Sequence, residues 1–523
     1  MTPTELAIQA LPKHLQRFVV PQDCDAYTLR DHAVWRHILG RLTEHLKDKA
    51  VESYLKGLEA TGIGLEIIPS LDEMNEKLAR LGWSAVSVRG FIPPAIFTEL
   101  QSLGVLAIAA DIRTFEHVDY TPAPDIVHES AGHAPILSDS RYAEYLKRSG
   151  IAGFKAIASV EDQAVFEAIR NLSVVKEDPA ATPQDARLSE ERLQAACASR
   201  RYVSENTKAS RLYWWTAEYG LVGGLEHPKI YGAGLLSSLR EAEHCLSKAV
   251  EKVPLSLVCA DTEYDITTMQ PQLFVARDFD HLFEVLEAFE STMAWKRGGD
   301  FGLNEALRAR TVNHLVLEGG LELSGKVVEV ANGHESNTAL RASLARLEGP
   351  ILLSRDGHAL RKPWSGEALV AFGKAELPSR GAFEIKLASS LVITGFMVGN
   401  HEAINLRAQQ DGKPLDAPSW ALLFISEGLP SVAGGPADPG DWDRWFGDQN
   451  AFAEGDAEAE ARARKAAALS PRLAEIYEAV RAMRESGKPD AARLQAWLTE
   501  AKEDWLLQEE IHELLSREFR VES

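Results

Sequence analysis

The sequence has few cysteines and far less positive than negative charge. Four cysteines occur in 523 residues and none forms a CxxC pair, which excludes a disulfide framework and argues against a zinc ribbon. Acidic residues number 77 against 56 basic ones, for a formal net charge of −21. Such a charge repels phosphate groups, so we expect neither nucleic acid nor an anionic membrane as a partner.

The sequence also lacks a long apolar run and an internal repeat. No stretch approaches the roughly 20 apolar residues that a membrane helix needs, and the first residues have no apolar core typical of a secretory signal. We therefore expect a cytoplasmic protein. The balance of 45% hydrophobic and 25% charged residues is typical of a globular chain, and the length predicts about two to four domains.

The pattern of apolar residues divides the chain into helical and β-rich parts. Residues 1–305 carry apolar side chains at helical spacing between Pro-rich loops, which predicts a mainly α-helical domain with few short strands. Residues 310–425 show near-alternating apolar positions separated by turn residues, and predict an antiparallel β-rich module of unknown role. Residues 426–460 are rich in Gly, Pro and Asp and predict a linker.

Two amphipathic helices are predicted near the C-terminal end. Ser470 followed by Pro471 is a helix start signal, and Gly487 indicates the end of that helix. A second helix follows, with apolar residues over 494–505. Residues 461–523 therefore predict a helical hairpin that must dock on something, because each helix has one apolar face. A homo-oligomer formed through the C-terminal half is one arrangement that would cover these faces.

The most informative segment places two histidines on either side of an acid. The run YTPAPDIVHESAGH at 120–133 contains His128, Glu129 and His133. Residues five apart on a regular α-helix lie about 140° apart, so this pair does not have the HExxH spacing of zinc proteases and could not share one metal ion. An irregular backbone, favoured by the prolines before the pair and by Gly132, would allow it. Two unrelated histidines are the alternative interpretation.

A second segment places one carboxylate in an aromatic stretch. Glu218 lies within LYWWTAEYG at 212–220, and a buried carboxylate needs a cation, a metal ion or a proton. An exposed or arginine-paired Glu218 is the ordinary alternative. Two imidazoles and one carboxylate suit non-haem Fe(II), because they occupy one face of an octahedron and leave three positions open. Zinc is the chemical alternative.

A third segment imitates a nucleotide-binding motif. The run IYGAGLLSS at 230–238 matches the first half of GxGxxG, but the third glycine and a surrounding βαβ pattern are missing, which argues against a dinucleotide site. Small residues can instead let the backbone approach a ligand, with serine hydroxyls as hydrogen-bond donors.

Taken in order, these motifs resemble the tetrahydropterin-dependent aromatic amino acid hydroxylases. The matching runs are TPAPDIVHESAGHAPILSD at 121–139, LYWWTAEYGLV at 212–222 and YGAGLLSSLREAEHCLS at 231–247. Weaker similarity extends over 20–36 and 88–97, so the resemblance covers roughly residues 11–300. It implies the mainly α-helical catalytic fold of that family for residues 1–305. Residues 310–523 match nothing in the family, and 155–205 resembles an insertion.

The resemblance implies roles for individual side chains. The implied iron ligands are His128, His133 and Glu218. Arg113 is implied to hold the substrate carboxylate, a role that the forked guanidinium suits. The same end of the substrate is implied to be hydrogen-bonded by Thr121 and Ser237. The implied wall around the substrate ring consists of Tyr120, Pro124, Trp214 and Tyr219. The implied pterin site consists of Phe97, which stacks on the pterin, Ile92, Glu129 and Tyr213.

The resemblance further implies a monooxygenase that uses Fe(II), a tetrahydropterin such as tetrahydrobiopterin, and dioxygen. Its substrate is a free aromatic amino acid, and conversion of phenylalanine to tyrosine is the preferred reaction because it is common among the bacterial-type enzymes. Tryptophan and tyrosine are the alternative substrates. A zinc hydrolase and a non-catalytic scaffold that retains the fold are more distant alternatives.

Overall fold

A helical region, a β-rich region and a set of C-terminal helices follow one another along the chain. The computed structural model describes residues 1–115, 118, 125–178, 180–266, 268–331, 341–374, 380–386, 391–399, 402–410, 412–414, 420–426, 428–446 and 469–521. Among the described helices, none combines the length and the apolar character that crossing a membrane would require.

The first region, up to residue 309, is mainly α-helical, as predicted. Its helices are α1 Pro3–Ala10, α2 Lys13–Gln16, α3 Leu29–Leu46, α4 Ser53–Ala60, α5 Leu71–Leu78, α6 Pro94–Ser102, α7 Ser140–Lys155, α8 Val160–Glu177, α9 Pro183–Ala198, α10 Glu205–Tyr213, α11 Ala233–Leu236, α12 Leu239–His244, α13 Phe279–Glu290, α14 Ala294–Arg297 and α15 Gly299–Ala309. Side-chain caps begin many of them. Thr28, for example, accepts the backbone N–H of Asp31, whose carboxylate bonds back to the Thr28 N–H, which satisfies two donors that a helix start leaves free.

Two small sheets lie among these helices. The strands are β1 Ser84–Val88, β2 Val105–Ala109, β3 Leu221–Val222, β4 Lys229–Ile230, β5 Glu251–Pro254 and β6 Gln272–Ala276. β1 and β2 run parallel, with Ser84 opposite Val105, and α6 connects them. All five residues of β2 are buried, so the segment that follows this strand is anchored at its start in the packed interior.

The main core is formed by buried residues of α3, α4, α5, α7 and α13 together with the C-terminal helices. α3 contributes a stripe of seven buried residues, Ala33, Val34, Trp35, Ile38, Leu39, Leu42 and Leu46, at the spacing expected for one helical face. This stripe includes the positions whose periodicity predicted the helix. The core surrounds the two segments that carry the predicted metal ligands.

The second region consists mainly of strands. They are β7 Val312–Val316, β8 Leu321–Ala331, β9 Arg341–Arg355, β10 His358–Ala359, β11 Trp364–Lys374, β12 Gly381–Lys386, β13 Leu391–Gly399, β14 Glu402–Gln410, β15 Lys413–Pro414, β16 Trp420–Ser426 and β17 Ser431–Gly434. One sheet has the order β16-β11-β9-β8-β7-β17, with β10 on β9, and the other has the order β12-β13-β14-β15. The pairing is antiparallel as expected, except that β11 and β16 run parallel.

The predicted linker over 426–460 is wrong for its first part. β17 continues the sheet to Gly434, and α16 Pro439–Phe446 follows it; residues 447–460 lie outside the described residues. The glycine content that suggested a linker has a packing cause. A Cβ on Gly434 would lie 2.2 Å from the carbonyl oxygen of Ala156, so glycine permits close contact between β17 and the helical region.

This contact belongs to a second core shared by the first two regions. Ala294, Leu303 and Ala306 of the helical region pack with Leu315 and Val432 of the large sheet. The β-rich region is therefore seated on α14 and α15. Its independence as a domain over 310–425 stays a prediction.

The C-terminal part contains three described helices where a two-helix hairpin over 461–523 was predicted. They are α17 Pro471–Ser486, α18 Ala491–Glu500 and α19 Trp505–Val521. Trp505, predicted on the second helix, instead begins the third, because Asp504 accepts the backbone N–H of Leu507 and starts a new helix. Ile476, Leu494 and other apolar residues of these helices join the main core, so much of their apolar surface is covered within this chain. Homo-oligomer formation stays a prediction.

Candidate active site

Two π-helical turns carry the three predicted metal ligands. One spans Val127–His133 and contains His128 and His133; the other spans Trp214–Glu218 and ends with Glu218. A π-helix has i→i+5 hydrogen bonds, which brings residues five apart onto the same face. The spacing that prevents metal sharing on an α-helix therefore suits this backbone, and the irregular geometry expected between the histidines is present.

The three side chains converge on one point. Nε2 of His128 lies 3.3 Å from Oε2 of Glu218, and Nε2 of His133 lies 3.1 Å from Oε1. All three candidate ligand atoms lie within 4.8 Å of one another. The side chain of His133 is 2% exposed, against 12% for Glu218 and 23% for His128, so the cluster is open mainly on the His128 side.

The chemistry of this cluster fits a metal ion. Nε2 of His133 is buried and has no hydrogen-bond partner among the described residues, although it lies only 3.1 Å from Oε1 of Glu218. Buried polar atoms are nearly always paired, and a nitrogen aimed at a carboxylate and a second imidazole is satisfied when all three bind one cation. Two nitrogens and a carboxylate are the ligand set of non-haem Fe(II) sites.

The electrostatics favour positive charge at the same point. Burial alone would raise the pKa of Glu218, but the imidazoles of His133 and His128 hold that pKa well below its usual range. Burial would lower the pKa of His128, but the Glu218 carboxylate raises it to about 9. A cation next to Glu218 is therefore strongly stabilised.

Ser237 orients the imidazole of His128. Its hydroxyl lies 2.9 Å from Nδ1 of His128 and donates to the carbonyl oxygen of Ala233 at 2.8 Å. Since its proton is used there, the hydroxyl accepts the N–H of Nδ1. Nε2 of His128 then presents its lone pair to the cluster, as a metal ligand must.

Arg113 is held by Asp125, a residue that the sequence did not single out. Nε and Nη2 of Arg113 donate to Oδ2 and Oδ1 of Asp125 at 2.7 and 2.9 Å. Burial would raise the pKa of Asp125, but the Arg113 guanidinium keeps that pKa below its usual value. Oδ1 also accepts the backbone N–H of His128. The position of Asp125, three residues before His128, was the available signal.

The other edge of Arg113 is less tightly bound. Among the described residues, Nη1 makes two long contacts of 3.4 Å, to the carbonyl oxygens of Val118 and Ser237. Arg113 and Ser237 therefore lie together on the His128 side of the cluster. The remaining residues predicted at this end, Tyr120, Thr121 and Pro124, lie outside the described residues.

The predicted pterin residues gather on the His133 side. The rings of Phe97 and Tyr213 meet edge to face at 5.8 Å, and the Tyr213 ring lies 6.4 Å from that of His133. The Tyr213 hydroxyl donates to Oε1 of Gln101, one turn further along α6, at 3.0 Å. Ile92 is buried in the apolar cluster against which Phe97 packs.

Glu129 adds a carboxyl group to this part of the site. It lies on the same π-helix as the histidines and is buried. Burial raises its pKa, although His128 and His133 oppose the rise. Glu129 is not one of the three convergent ligand residues, which agrees with its predicted place outside the metal ligand set.

An aromatic stack lies beyond Glu218. The indole of Trp214 lies between the ring of Tyr219, at 4.5 Å, and the ring of Tyr264, at 4.3 Å. Two of the four predicted wall residues, Trp214 and Tyr219, therefore lie in one stack. Tyr264 was not predicted, because it lies in a segment without a motif and reaches the stack only through the fold.

The glycines of the third motif explain how the segments meet. A Cβ on Gly232 would lie 2.4 Å from the carbonyl oxygen of Glu218, and a Cβ on Gly132 would lie 2.7 Å from that of Ala233. The small residues thus allow the backbone of 232–234 to contact both π-helices. The sequence suggested that the backbone at this motif approaches a bound molecule. In the structure it approaches the backbone of the two π-helices that carry the predicted metal-ligating residues.

Comparison with known proteins agrees with the site. The family of biopterin-dependent aromatic amino acid hydroxylases matches residues 19–168 and 181–302. Phenylalanine-4-hydroxylase of Chromobacterium violaceum is 30% identical over 270 residues, which are 51% of this chain and 76% of that protein. The Pseudomonas aeruginosa enzyme is 32% identical over 263 residues, 50% of this chain and 83% of that protein.

An alignment with a solved structure covers a similar share of this chain. The C. violaceum phenylalanine hydroxylase with bound iron(III) and oxidized cofactor 7,8-dihydrobiopterin has 27% sequence identity and a TM-score of 0.42, and the alignment covers 54% of this chain and 92% of that one. The chain belongs to the family of biopterin-dependent aromatic amino acid hydroxylases, because the family match extends over just over half of its length. The resemblance seen in the sequence is confirmed.

The family match also marks what is additional in this chain. It omits residues 169–180 and ends at residue 302. The omitted residues form the end of α8 and the start of the connection to α9, inside the predicted insertion over 155–205. The large sheet and the C-terminal helices follow the matched part.

Proposed function

We propose that this chain hydroxylates free phenylalanine to tyrosine with Fe(II), a tetrahydropterin and dioxygen. The observation that carries the proposal is the convergence of His128, His133 and Glu218 at one buried point. The family is biopterin-dependent, and the relatives are named for phenylalanine.

His128, His133 and Glu218 hold the Fe(II) ion, and three ligands leave the rest of its coordination sphere for small molecules. Ser237 keeps the proton of His128 on Nδ1, so that Nε2 can bind the metal. When bound, the iron and the tetrahydropterin together supply the reductive activation of dioxygen, which protein side chains lack. The burial of His133, whose side chain is 2% exposed, limits access of water to that chemistry from one side.

Arg113 binds the carboxylate of the amino acid. Asp125 fixes the plane of the guanidinium, and the Nη1 edge, whose own contacts are long, donates to the substrate. Ser237 is a further hydrogen-bonding partner of the end of the substrate that carries the carboxylate, and Trp214 and Tyr219 contribute to the wall around the substrate ring. The sequence resemblance alone supports the same roles for Thr121 at the carboxylate end and for Tyr120 and Pro124 around the ring.

The pterin would be held by residues on the His133 side of the cluster. Phe97 would stack on its ring, and Tyr213 and Ile92 would complete the apolar surface. Glu129 would offer its carboxyl group to the polar edge of the cofactor. The residues proposed for substrate and for pterin thus lie on different sides of the three ligand residues, which would let the chain orient both molecules toward one centre.

The test begins with metal-free protein loaded with Fe(II) under argon. A tetrahydropterin, air and one of phenylalanine, tryptophan or tyrosine are then added, and products are separated by chromatography. We expect tyrosine from phenylalanine as the fastest reaction. Protein loaded with Zn(II) is the control and should give no hydroxylated product, because zinc has no redox chemistry.

Other outcomes would contradict the proposal. Faster conversion of tryptophan or tyrosine would assign a different substrate. No hydroxylated product from any of the three amino acids would favour the non-catalytic scaffold, and hydrolytic activity confined to the zinc form would favour a zinc hydrolase.

A further inference from the structure

The C-terminal helices reach the substrate side of the site through Trp505. Its indole stacks on the ring of Phe115, with 5.2 Å between the ring centroids and 24° between the ring planes. Phe115 follows Arg113 by two residues, in the segment that leads from β2 towards the π-helix of the histidines. The family match ends at residue 302, so this contact comes from a part of the chain outside that match.

A second group ties Phe115 to the same helices. The guanidinium carbon of Arg30 lies 5.0 Å from the centroid of the Phe115 ring, and Nη2 of Arg30 donates to Asp504 at 2.8 Å. Asp504 is 4% exposed and also accepts the hydroxyl proton of Tyr477 at 2.9 Å. Phe115 is therefore contacted by two side chains whose positions the start of α19 determines.

Ion pairs hold α19, and one of their residues, His37, also meets the Trp505 indole edge to face, with 5.1 Å between the ring centroids. Nε and Nη2 of Arg36 donate to the two carboxylate oxygens of Glu510 at 2.7 and 2.8 Å, and His37 pairs with Glu509 at 2.7 Å. Trp505 itself is 41% exposed, so its indole is partly buried, and the rings of Phe115 and His37 are among its packing partners.

We propose that Trp505 is a positioning residue for substrate binding, acting through Phe115 on Arg113. Asp125 fixes the guanidinium plane of Arg113 and also accepts its backbone N–H at 3.0 Å, so the place of the Nη1 edge follows the position of the backbone in this segment. Stacking on Phe115 restrains that backbone two residues away. The C-terminal helices thereby support the amino acid site and leave the metal and pterin sites unaffected. This inference rests on the proposed function of Arg113.

The test compares full-length Trp505→Ala, Trp505→Phe and Arg41→Ala, all loaded with Fe(II). Arg41→Ala is the matched control, because Arg41 pairs with Glu509 of the same helix at 2.5 Å and is not among the residues that contact Phe115. We expect Trp505→Ala to raise KM for phenylalanine about threefold to tenfold, the range of one aromatic pair. KM for the pterin should stay within about twofold, since Phe97 and Tyr213 are unchanged. Trp505→Phe should restore the wild-type KM, and Arg41→Ala should leave it unchanged.

A second measurement does not depend on turnover. Calorimetric titration of phenylalanine into each iron-loaded variant under argon, without pterin, should show the same loss of affinity for Trp505→Ala. If Trp505→Ala does not fold, Phe115→Leu removes the ring contact from the other side and should give the same rise in KM for phenylalanine.

The outcomes separate this inference from the proposed function. Wild-type protein that neither binds nor hydroxylates an aromatic amino acid contradicts the proposed function. Active wild-type protein with an unchanged KM for phenylalanine in Trp505→Ala overturns the positioning role. Equal increases in KM for phenylalanine and for the pterin, with a lowered Tm, would assign Trp505 a structural role and also overturn it.

Discussion

Two buried groups of charged side chains in this protein are built differently. Between α3 and the C-terminal helices buried cations pair with carboxylates, as Arg36 meets Glu510 through two hydrogen bonds, while Nε of Arg30 and Nε of Arg484 have no hydrogen-bond partner among the described residues. In the cluster of His128, His133 and Glu218 the ligand atoms face a common point, and Nε2 of His133 has no hydrogen-bond partner within the described part of the chain. Removing one partner of a buried ion pair is strongly destabilising, whereas buried ligand atoms that converge on one point indicate a binding site.

The largest effect is expected when Glu218, the one carboxylate among the three predicted metal ligands, is removed. Glu218→Ala should abolish Fe(II) binding and turnover while the protein still folds, because the main core does not depend on this carboxylate. Iron content after dialysis and circular dichroism measure the two properties. Glu129→Gln, on the same π-helix as the histidines, is the control and should retain iron. Normal iron content in Glu218→Ala would contradict the ligand assignment.

The complementary experiment breaks the buried ion pair between Arg36 of α3 and Glu510 of α19. Arg36→Ala leaves Glu510 buried, with Arg484 at 3.4 Å as its remaining partner, and should lower the free energy of unfolding by about 3–5 kcal/mol. Iron affinity should not change. Urea unfolding gives the measurement, and Arg472→Ala, which breaks an exposed pair with Glu500, should cost less than about 1 kcal/mol. Equal losses in both variants would show that burial does not distinguish the two pairs.

Glu205 is a buried acid whose carboxylate is hydrogen-bonded by backbone groups. Its carboxylate accepts the backbone N–H groups of Ile157 and Ala294 at 3.2 and 2.6 Å, and burial raises its pKa to about 7. A carboxyl whose pKa is raised by folding stabilises the fold below its unfolded pKa, and this contribution is lost as the pH rises through the folded pKa.

Wild-type protein should therefore lose stability relative to Glu205→Gln between about pH 5 and pH 8, by on the order of 3 kcal/mol. Thermal unfolding of both proteins across this range provides the comparison. A difference in Tm that stays constant with pH would show that Glu205 does not titrate in this window.

The smallest expected effect concerns the orientation of one metal ligand. Ser237→Ala removes the hydrogen bond to Nδ1 of His128 and should lower iron affinity about 10- to 100-fold. Competition with a chelator measures the change. Ser238→Ala is the control, since the Ser238 hydroxyl accepts a backbone N–H of α12. Equal iron affinity in Ser237→Ala and wild type would mean that the imidazole is oriented by other contacts.

Much of the site was predictable because its residues lie in short, distinctive segments. The motifs around His128, His133 and Glu218 predicted the ligand types and the metal class, and the resemblance added the family and the reaction. Asp125 was missed even though it lies inside one of these motifs. Its partner Arg113 is twelve residues away, and the hydrogen bonds between them exist only once the chain is folded.

The errors in the fold have a common physical cause. The Gly, Pro and Asp content over 426–460 suggested a linker, but composition does not distinguish a glycine that provides flexibility from one that allows close packing, as Gly434 does. Trp505 suggested a longer second helix, but Asp504 starts a new one. In both cases the deciding contact involves a backbone group, the carbonyl of Ala156 or the N–H of Leu507. The spacing of apolar residues carries no information about such contacts.

The sequence by itself determined the donor set, the helical class of the first region and the membership of a family, since each depends on residue types at short spacing. The tertiary structure decided that the histidines share one face, because the backbone between them is π-helical. It also decided that Glu218 meets them, that Asp125 holds Arg113 and that α19 contacts Phe115. These features join residues that are far apart in the sequence, and their energies arise only when packing removes both partners from water.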